Sequence, residues 1–178
     1  MNSNHQRRHI SRARFVLCLL LAATFGFAGP AYAQIVALGA SNVAGRGVSS
    51  SEAFPGQLER MLAAKGYHVR VANAGVNGNT NAEMLARLDQ AVPAGTKVVL
   101  LGTLGGSYNA RRLGQGDQKA DFASIMAKLR SRGIKIIPVG AGGVTRNHLQ
   151  ADRVHLTAEG HAVVAARLLP SVMRALGR

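Results

Sequence analysis

Ile35-Val-Ala-Leu-Gly-Ala-Ser41 is the stretch on which the fold turns. Four apolar residues in a row, closed by a glycine, read as a strand buried on both faces, and such strands belong to parallel sheets covered by helices. Working outward, similar runs recur at residues 68–72, 98–101 and 135–139. Between them the apolar spacing becomes helical. Phe54, Leu58, Met61 and Leu62 share one face and end at Gly66; Leu85, Leu88 and Val92 mark a second helix; Phe122, Ile125, Met126 and Leu129 mark a third, ending at Gly133. Ala162, Ala165, Ala166, Leu169, Val172, Met173 and Leu176 define a last amphipathic helix, with Thr157 as its N-cap and Glu159 at its positive end. Strands alternating with helices predict an α/β fold, a small three-layer α/β/α domain with a mainly parallel sheet. Ligands of such sheets bind beyond the carboxyl ends of the strands. The loops there should bring Ser41, Gly78, the Gly105 region and the Asp152/His155 pair to one edge.

Upstream of this domain, residues 1–33 carry the three zones of a secretory signal peptide. Arg7, Arg8, Arg12 and Arg14 supply a basic start without acids, residues 15–28 an apolar run, and Ala31-Tyr32-Ala33 a cleavage pattern. The apolar run is shorter than the roughly 20 residues that span a bilayer. The spacing of Arg7-Arg8 fits a twin-arginine signal poorly, so general secretion is expected. Cleavage would leave residues 34–178 as one domain, exported to the periplasm or beyond.

The only cysteine, Cys18, lies inside the signal, so the exported part would hold neither a disulfide nor a thiolate nucleophile. The chain carries a formal charge of +14, and residues 34–178 keep 18 basic and eight acidic side chains. Such a surface favours loose association with anionic components of the envelope. The basic residues are scattered and aromatics are few, so no nucleic-acid motif is present.

Chemistry concentrates at two places. Ser41 directly follows a predicted strand, where a side chain is exposed at the sheet edge; a serine there can equally cap a helix. Asp152-Arg-Val-His155 changes the balance, because a serine hydroxyl needs an imidazole base and the imidazole needs a carboxylate to fix its tautomer. His68, His148 and His161 read as structural or surface residues. A zinc site from His148, Asp152 and His155 lacks a compact ligand motif, so no metal and no cofactor are expected.

These segments resemble the SGNH (GDSL-like) hydrolases. Gly39-Ala-Ser-Asn42 is similar to the first block of that family, residues 73–80 (Asn-Ala-Gly-Val-Asn-Gly-Asn-Thr) to the second, and residues 152–161 to the last. The resemblance implies a flavodoxin-like sheet with Ser41 as nucleophile, His155 as base and Asp152 as its partner. It also implies backbone N–H groups of Ser41 and Gly78 as oxyanion donors. Two positions depart from the pattern. Ala40 replaces an aspartate, and the third block, normally Gly-x-Asn-Asp, reads Gly105-Gly-Ser-Tyr-Asn109. Either Ser107 stands in the asparagine position or Asn109 reaches the oxyanion from a shifted backbone.

The implied activity is an exported serine esterase acting on small or short-chain carboxylic esters or thioesters. A short loop, residues 140–151, predicts an open and shallow site. The alternative is an envelope protein in which an impaired site binds a carbohydrate or acylated ligand without turnover.

Overall fold

The computed structural model describes residues 34–103, 105–116 and 118–177; the predicted signal peptide lies outside them. Four strands form one parallel sheet in the order β2-β1-β3-β4: β1 (Ile35–Gly39), β2 (Val71–Gly75), β3 (Val98–Gly102) and β4 (Lys135–Val139). Seven helices accompany them: α1 (Ser41–Ala44), α2 (Phe54–Ala64), α3 (Asn81–Ala86), α4 (Leu88–Ala91), α5 (Gly105–Arg112), α6 (Lys119–Ser131) and α7 (Ala158–Leu176).

Alternation along β1 sends successive side chains into two cores. Ile35 and Ala37 join Phe54, Leu58 and Leu62 of α2 and Val164, Leu168 and Val172 of α7. Val36 and Leu38 join Met84, Leu88, Ile125 and Leu129 from the helices of the opposite face. This is the expected three-layer α/β/α arrangement. β1 is central and wholly buried, which is why its sequence shows no polar alternation.

The second strand lies three residues later than the sequence pattern predicts. A strand can extend only where it has a partner: Val71 pairs with Ile35 and Gly75 with Gly39, so Asn73–Gly75, beyond the predicted strand, belongs to the sheet, and His68 precedes it, exposed. The helix around Leu85 to Val92 is two short helices that part at Arg87. The Thr80-Asn-Ala-Glu83 pattern marks its start, since Thr80 and Glu83 form a reciprocal capping box.

The glycine-rich segment after β3 contains a helix, α5. Its glycines serve close packing that outweighs their poor helix propensity: a Cβ on Gly105 would stand 2.8 Å from that of Ala40, and one on Gly106 would overlap the Asn81 side chain. In α7 the buried stripe is His161, Val164, Ala165, Leu168 and Val172, rotated from the predicted face, and Ala166 is exposed. Thr157 caps this helix as expected, accepting a bond from Gly160 N–H.

Candidate active site

Ser41 opens α1 immediately beyond the carboxyl end of β1. The carbonyl of Ala40 accepts bonds from the N–H groups of Val43 and Ala44 at 3.0 and 2.9 Å, so the chain turns sharply from strand into helix at the serine. β2 passes so close beneath α1 that a Cβ on Gly75 would lie 2.1 Å from the Ala44 nitrogen. Only glycine fits there.

His155 approaches from the loop before α7. Its Nε2 lies 2.9 Å from Ser41 Oγ, and its Nδ1 lies 2.5 Å from Asp152 Oδ2. The imidazole is nearly buried whereas the carboxylate is about half exposed, with side-chain exposures of 9% and 46%. The bond from the His155 ring, followed by those from the backbone N–H groups of His155 and Val154, holds the Asp152 carboxyl well below the usual carboxylate range. Asp152 is therefore ionised throughout the neutral range and accepts the Nδ1 proton, which leaves Nε2 with a lone pair facing the serine hydroxyl. Such a chain can draw a proton from Ser41 as the oxygen attacks an electrophilic carbonyl.

Ties from several directions hold this loop. Gln150 N–H donates to His155 O at 2.8 Å and Thr157 N–H to His148 O at 2.9 Å, with Leu149 and Leu156 bridged between them. The Gln150 amide donates to both Arg46 O and Leu156 O at 2.7 Å. Asn42, to which the sequence pattern assigns no role, also holds this loop. Its Nδ2 donates to Val154 O and its Oδ1 accepts from Leu156 N–H, both at 3.0 Å. One amide thus grips the backbone on both sides of His155 from the residue next to Ser41. An amide directly after Ser41, between Ser41 and the apolar Val43-Ala44, is the available signal.

On the opposite side, Gly78 adopts a left-handed backbone (φ 79°). The N–H groups of Ser41 and Gly78 have no acceptor among the described residues. Arg87 holds this loop against β1, donating through Nε to Asn79 Oδ1 at 2.6 Å and through Nη2 to Gly39 O at 3.2 Å. The two candidates of the third block separate: Asn109 lines the cleft with Ser41 and Gly78, whereas Ser107 does not, its hydroxyl accepting a bond from Asn81 Nδ2. Asn109 Nδ2 donates to Asn79 O at 2.9 Å, which commits one of its two amide hydrogens. Ala40 is buried against Gly105, so an aspartate at this position would need donors the apolar contact does not supply.

The remaining histidines have other surroundings. His148 Nδ1 faces Thr145 N–H at 3.0 Å. His161 is fully buried and caps α2, its Nδ1 accepting from Phe54 N–H at 3.2 Å, and burial lowers its pKa to about 4. No group of three or more His, Cys, Asp or Glu among the described residues could hold a metal ion, and no described helix is long and apolar enough to cross a membrane.

These groups surround one cleft of about 960 Å³. The family model of GDSL-like lipases and acylhydrolases matches residues 37–153, a span that contains Ser41, Gly78 and Asp152 and stops just short of His155. The chain belongs to the GDSL-like lipase/acylhydrolase family. Among curated relatives of the family, Esterase TesA of Pseudomonas aeruginosa is 30% identical over 106 residues, 60% of this chain. The chain spans about half, 53%, of that relative's length. The crystal structure of AlinE4, an SGNH-hydrolase family esterase, is 25% identical, with a TM-score of 0.57 over 81% of this chain and 96% of the other. The fold is also that of EstA, a psychrotrophic esterase from Pseudoalteromonas sp. (15% identity, TM-score 0.67, 81% and 98% covered).

Proposed function

We propose that the chain is an exported serine esterase in which Ser41, His155 and Asp152 act as a catalytic triad. The observation that carries this reading is the unbroken sequence of bonds from Ser41 Oγ through the His155 ring to Asp152. Ser41 Oγ attacks the carbonyl carbon of an ester or thioester while His155 Nε2 takes its proton. Asp152 keeps the ring in the needed tautomer and stabilises its cationic form. The oxyanion is bound by the Ser41 and Gly78 N–H groups, with the second amide hydrogen of Asn109 as a third donor. The proton then passes to the leaving oxygen or sulfur, and a water activated by the same imidazole releases the acid.

Small or short-chain acyl groups are the proposed substrates, because the link from β4 to Asp152 contains only the single helical turn Arg146–His148 and offers few walls for a long chain. A series of 4-nitrophenyl esters of increasing chain length tests this. A maximum at long chains would overturn it. For the catalytic assignment, the purified protein and its Ser41→Ala variant are compared on 4-nitrophenyl butyrate, and a fluorophosphonate adduct is mapped by mass spectrometry. Hydrolysis abolished in the variant and an adduct confined to Ser41 are expected. Equal rates, or an unmodified Ser41, would leave the cleft as a binding site for an acylated or carbohydrate ligand.

A further inference from the structure

Five basic side chains line the cleft around Ser41: Arg46, Arg111, Arg112, Arg146 and Arg153. All are exposed, and the acidic residue among the lining, Asp152, is committed to His155. None of the five guanidinium groups has a carboxylate or side-chain hydrogen-bond partner among the described residues; Arg112 instead lies over the Tyr108 ring, 5.9 Å from its centroid. Elsewhere Arg60, Arg87, Arg132, Arg167 and Arg174 each donate to the chain's own oxygens. Among the described arginines away from the cleft, only Arg70 and Arg130 likewise lack a partner for the side chain.

Scattered surface charge does not account for this placement. None of the lysines lines the cleft, and arginine is the side chain whose planar fork matches the oxygens of phosphate and carboxylate. Compensation of a helix end explains Arg111 and Arg112 at the end of α5, but not Arg46 after α1 or Arg153 in the His155 loop. Arg153 also has a left-handed backbone (φ 56°), a conformation that favours glycine; the lip of the cleft keeps a guanidinium where a glycine would be unstrained. The deeper lining is apolar, with Val43, Phe54, Leu156 and Val164.

We propose that these arginines form a subsite for an anionic leaving group: the ester or thioester taken by the cleft carries a phosphate or carboxylate on its alcohol or thiol half, while the acyl half lies on the apolar floor. The proposal rests on the hydrolase reading above. In the acylation step the bond from Ser41 Oγ to the acyl carbon forms and the bond from that carbon to the leaving oxygen or sulfur breaks. The serine proton reaches the leaving atom through His155. The alcohol or thiol departs with its phosphate or carboxylate unchanged, and water then releases the acid. An exposed rim suits such a group, because it keeps part of its hydration while gaining charge-assisted bonds.

The test uses 4-butyryloxybenzoate and 4-butyryloxyphenyl phosphate beside the neutral methyl 4-butyryloxybenzoate. The ratio of kcat/KM, anionic over neutral, is compared between wild type and the Arg46→Gln/Arg111→Gln/Arg112→Gln variant, so that the intrinsic reactivities of the esters cancel. A ratio about tenfold lower in the variant is expected. Wild type should lose the same advantage in about 0.5 M NaCl, where charges separated by more than a few ångströms are screened. The two anionic arms distinguish phosphate from carboxylate. A ratio unchanged by the three substitutions overturns the proposal. If no ester is hydrolysed, the hydrolase reading fails separately, and calorimetric titration with phenyl phosphate and 4-hydroxybenzoate decides the subsite. Saturable binding weakened in the triple variant supports it, and absence of binding overturns it.

Discussion

The two walls of the cleft are built differently. The wall bearing Asp152 and His155 is a ten-residue loop, residues 148–157, cross-tied within itself by the Gln150–His155 and Thr157–His148 backbone bonds and by the Asp152 carboxylate. Asn42 and Gln150 then pin it to the segment carrying Ser41. The facing wall is lined by the Gly78 loop and α5, with α3 packed behind α5. Its ties are side-chain bonds, Asn109 to Asn79, Asn81 to Ser107 and Arg87 to both Asn79 and Gly39. The Asp152–His155 geometry is defined largely by bonds within one loop, whereas the proposed oxyanion side depends on how α5 packs on the Gly78–α3 segment. Substitutions in the first wall should therefore act on chemistry alone, and those in the second on the alignment of donors.

The largest expected effect is at the junction of the walls. Ser41→Ala or His155→Ala should lower kcat on 4-nitrophenyl butyrate by about 10⁴- to 10⁶-fold with the melting temperature little changed; retention of more than a tenth of the rate would remove the substituted residue from the proposed chemistry. Asp152→Asn follows at about 10⁴-fold in kcat, since the amide cannot hold the same imidazole tautomer, and the loss should appear in pre-steady-state acylation. On the opposite wall, Asn109→Ala should cost about 100- to 1000-fold in kcat if its free amide hydrogen meets the oxyanion. Ser107→Ala should change kcat little. The reverse order of those two variants would transfer the donor role to position 107.

Smaller effects sharpen the contrast. Asn42→Ala removes both bonds that flank His155, and about a tenfold loss in kcat with KM nearly constant is expected from one to two such bonds. An equal loss in KM would mean that Asn42 touches substrate instead of positioning the base. The smallest effect is on stability against pH, beneath the first wall. His161 has a pKa of about 4 in the fold against an ordinary 6.5, so the unfolded chain takes up the proton first. Its stabilising contribution is full above pH 6.5, declines as the pH falls from 6.5 towards 4, and changes no further below. Urea midpoints of wild type and His161→Gln, measured across this range, should show a shallower slope in the variant. Parallel slopes would remove His161 from that account.

Much of this is legible in the sequence. The buried run at residues 35–38 required a parallel sheet with two covered faces, and Asp152 three residues before His155 put base and carboxylate within local reach. Elements whose limits depend on partners were less legible. Residues 68–72 have strand periodicity, yet β2 is set by its register with β1, Val71 beside Ile35 and Gly75 beside Gly39. The segment after β3 looks like a loop by composition, yet folds as α5 because Gly105 and Gly106 let it press against Ala40 and Asn81. The stripe of α7 shifted because small alanines at 162 and 166 say little about direction, whereas Val164 and Leu168 have more apolar surface to bury.

By itself, the sequence determined the class of fold, the family pattern and the segments that carry Ser41, Asp152 and His155, because periodicity and short spacings are local properties of the chain. The tertiary structure alone decided that Asn42 grips both sides of His155, that Asn109 and not Ser107 lines the cleft, and that five arginines line the cleft around Ser41. Each of these joins residues far apart in the chain. Their meeting is fixed by the packing of helices on the two faces of the sheet, which no single segment encodes.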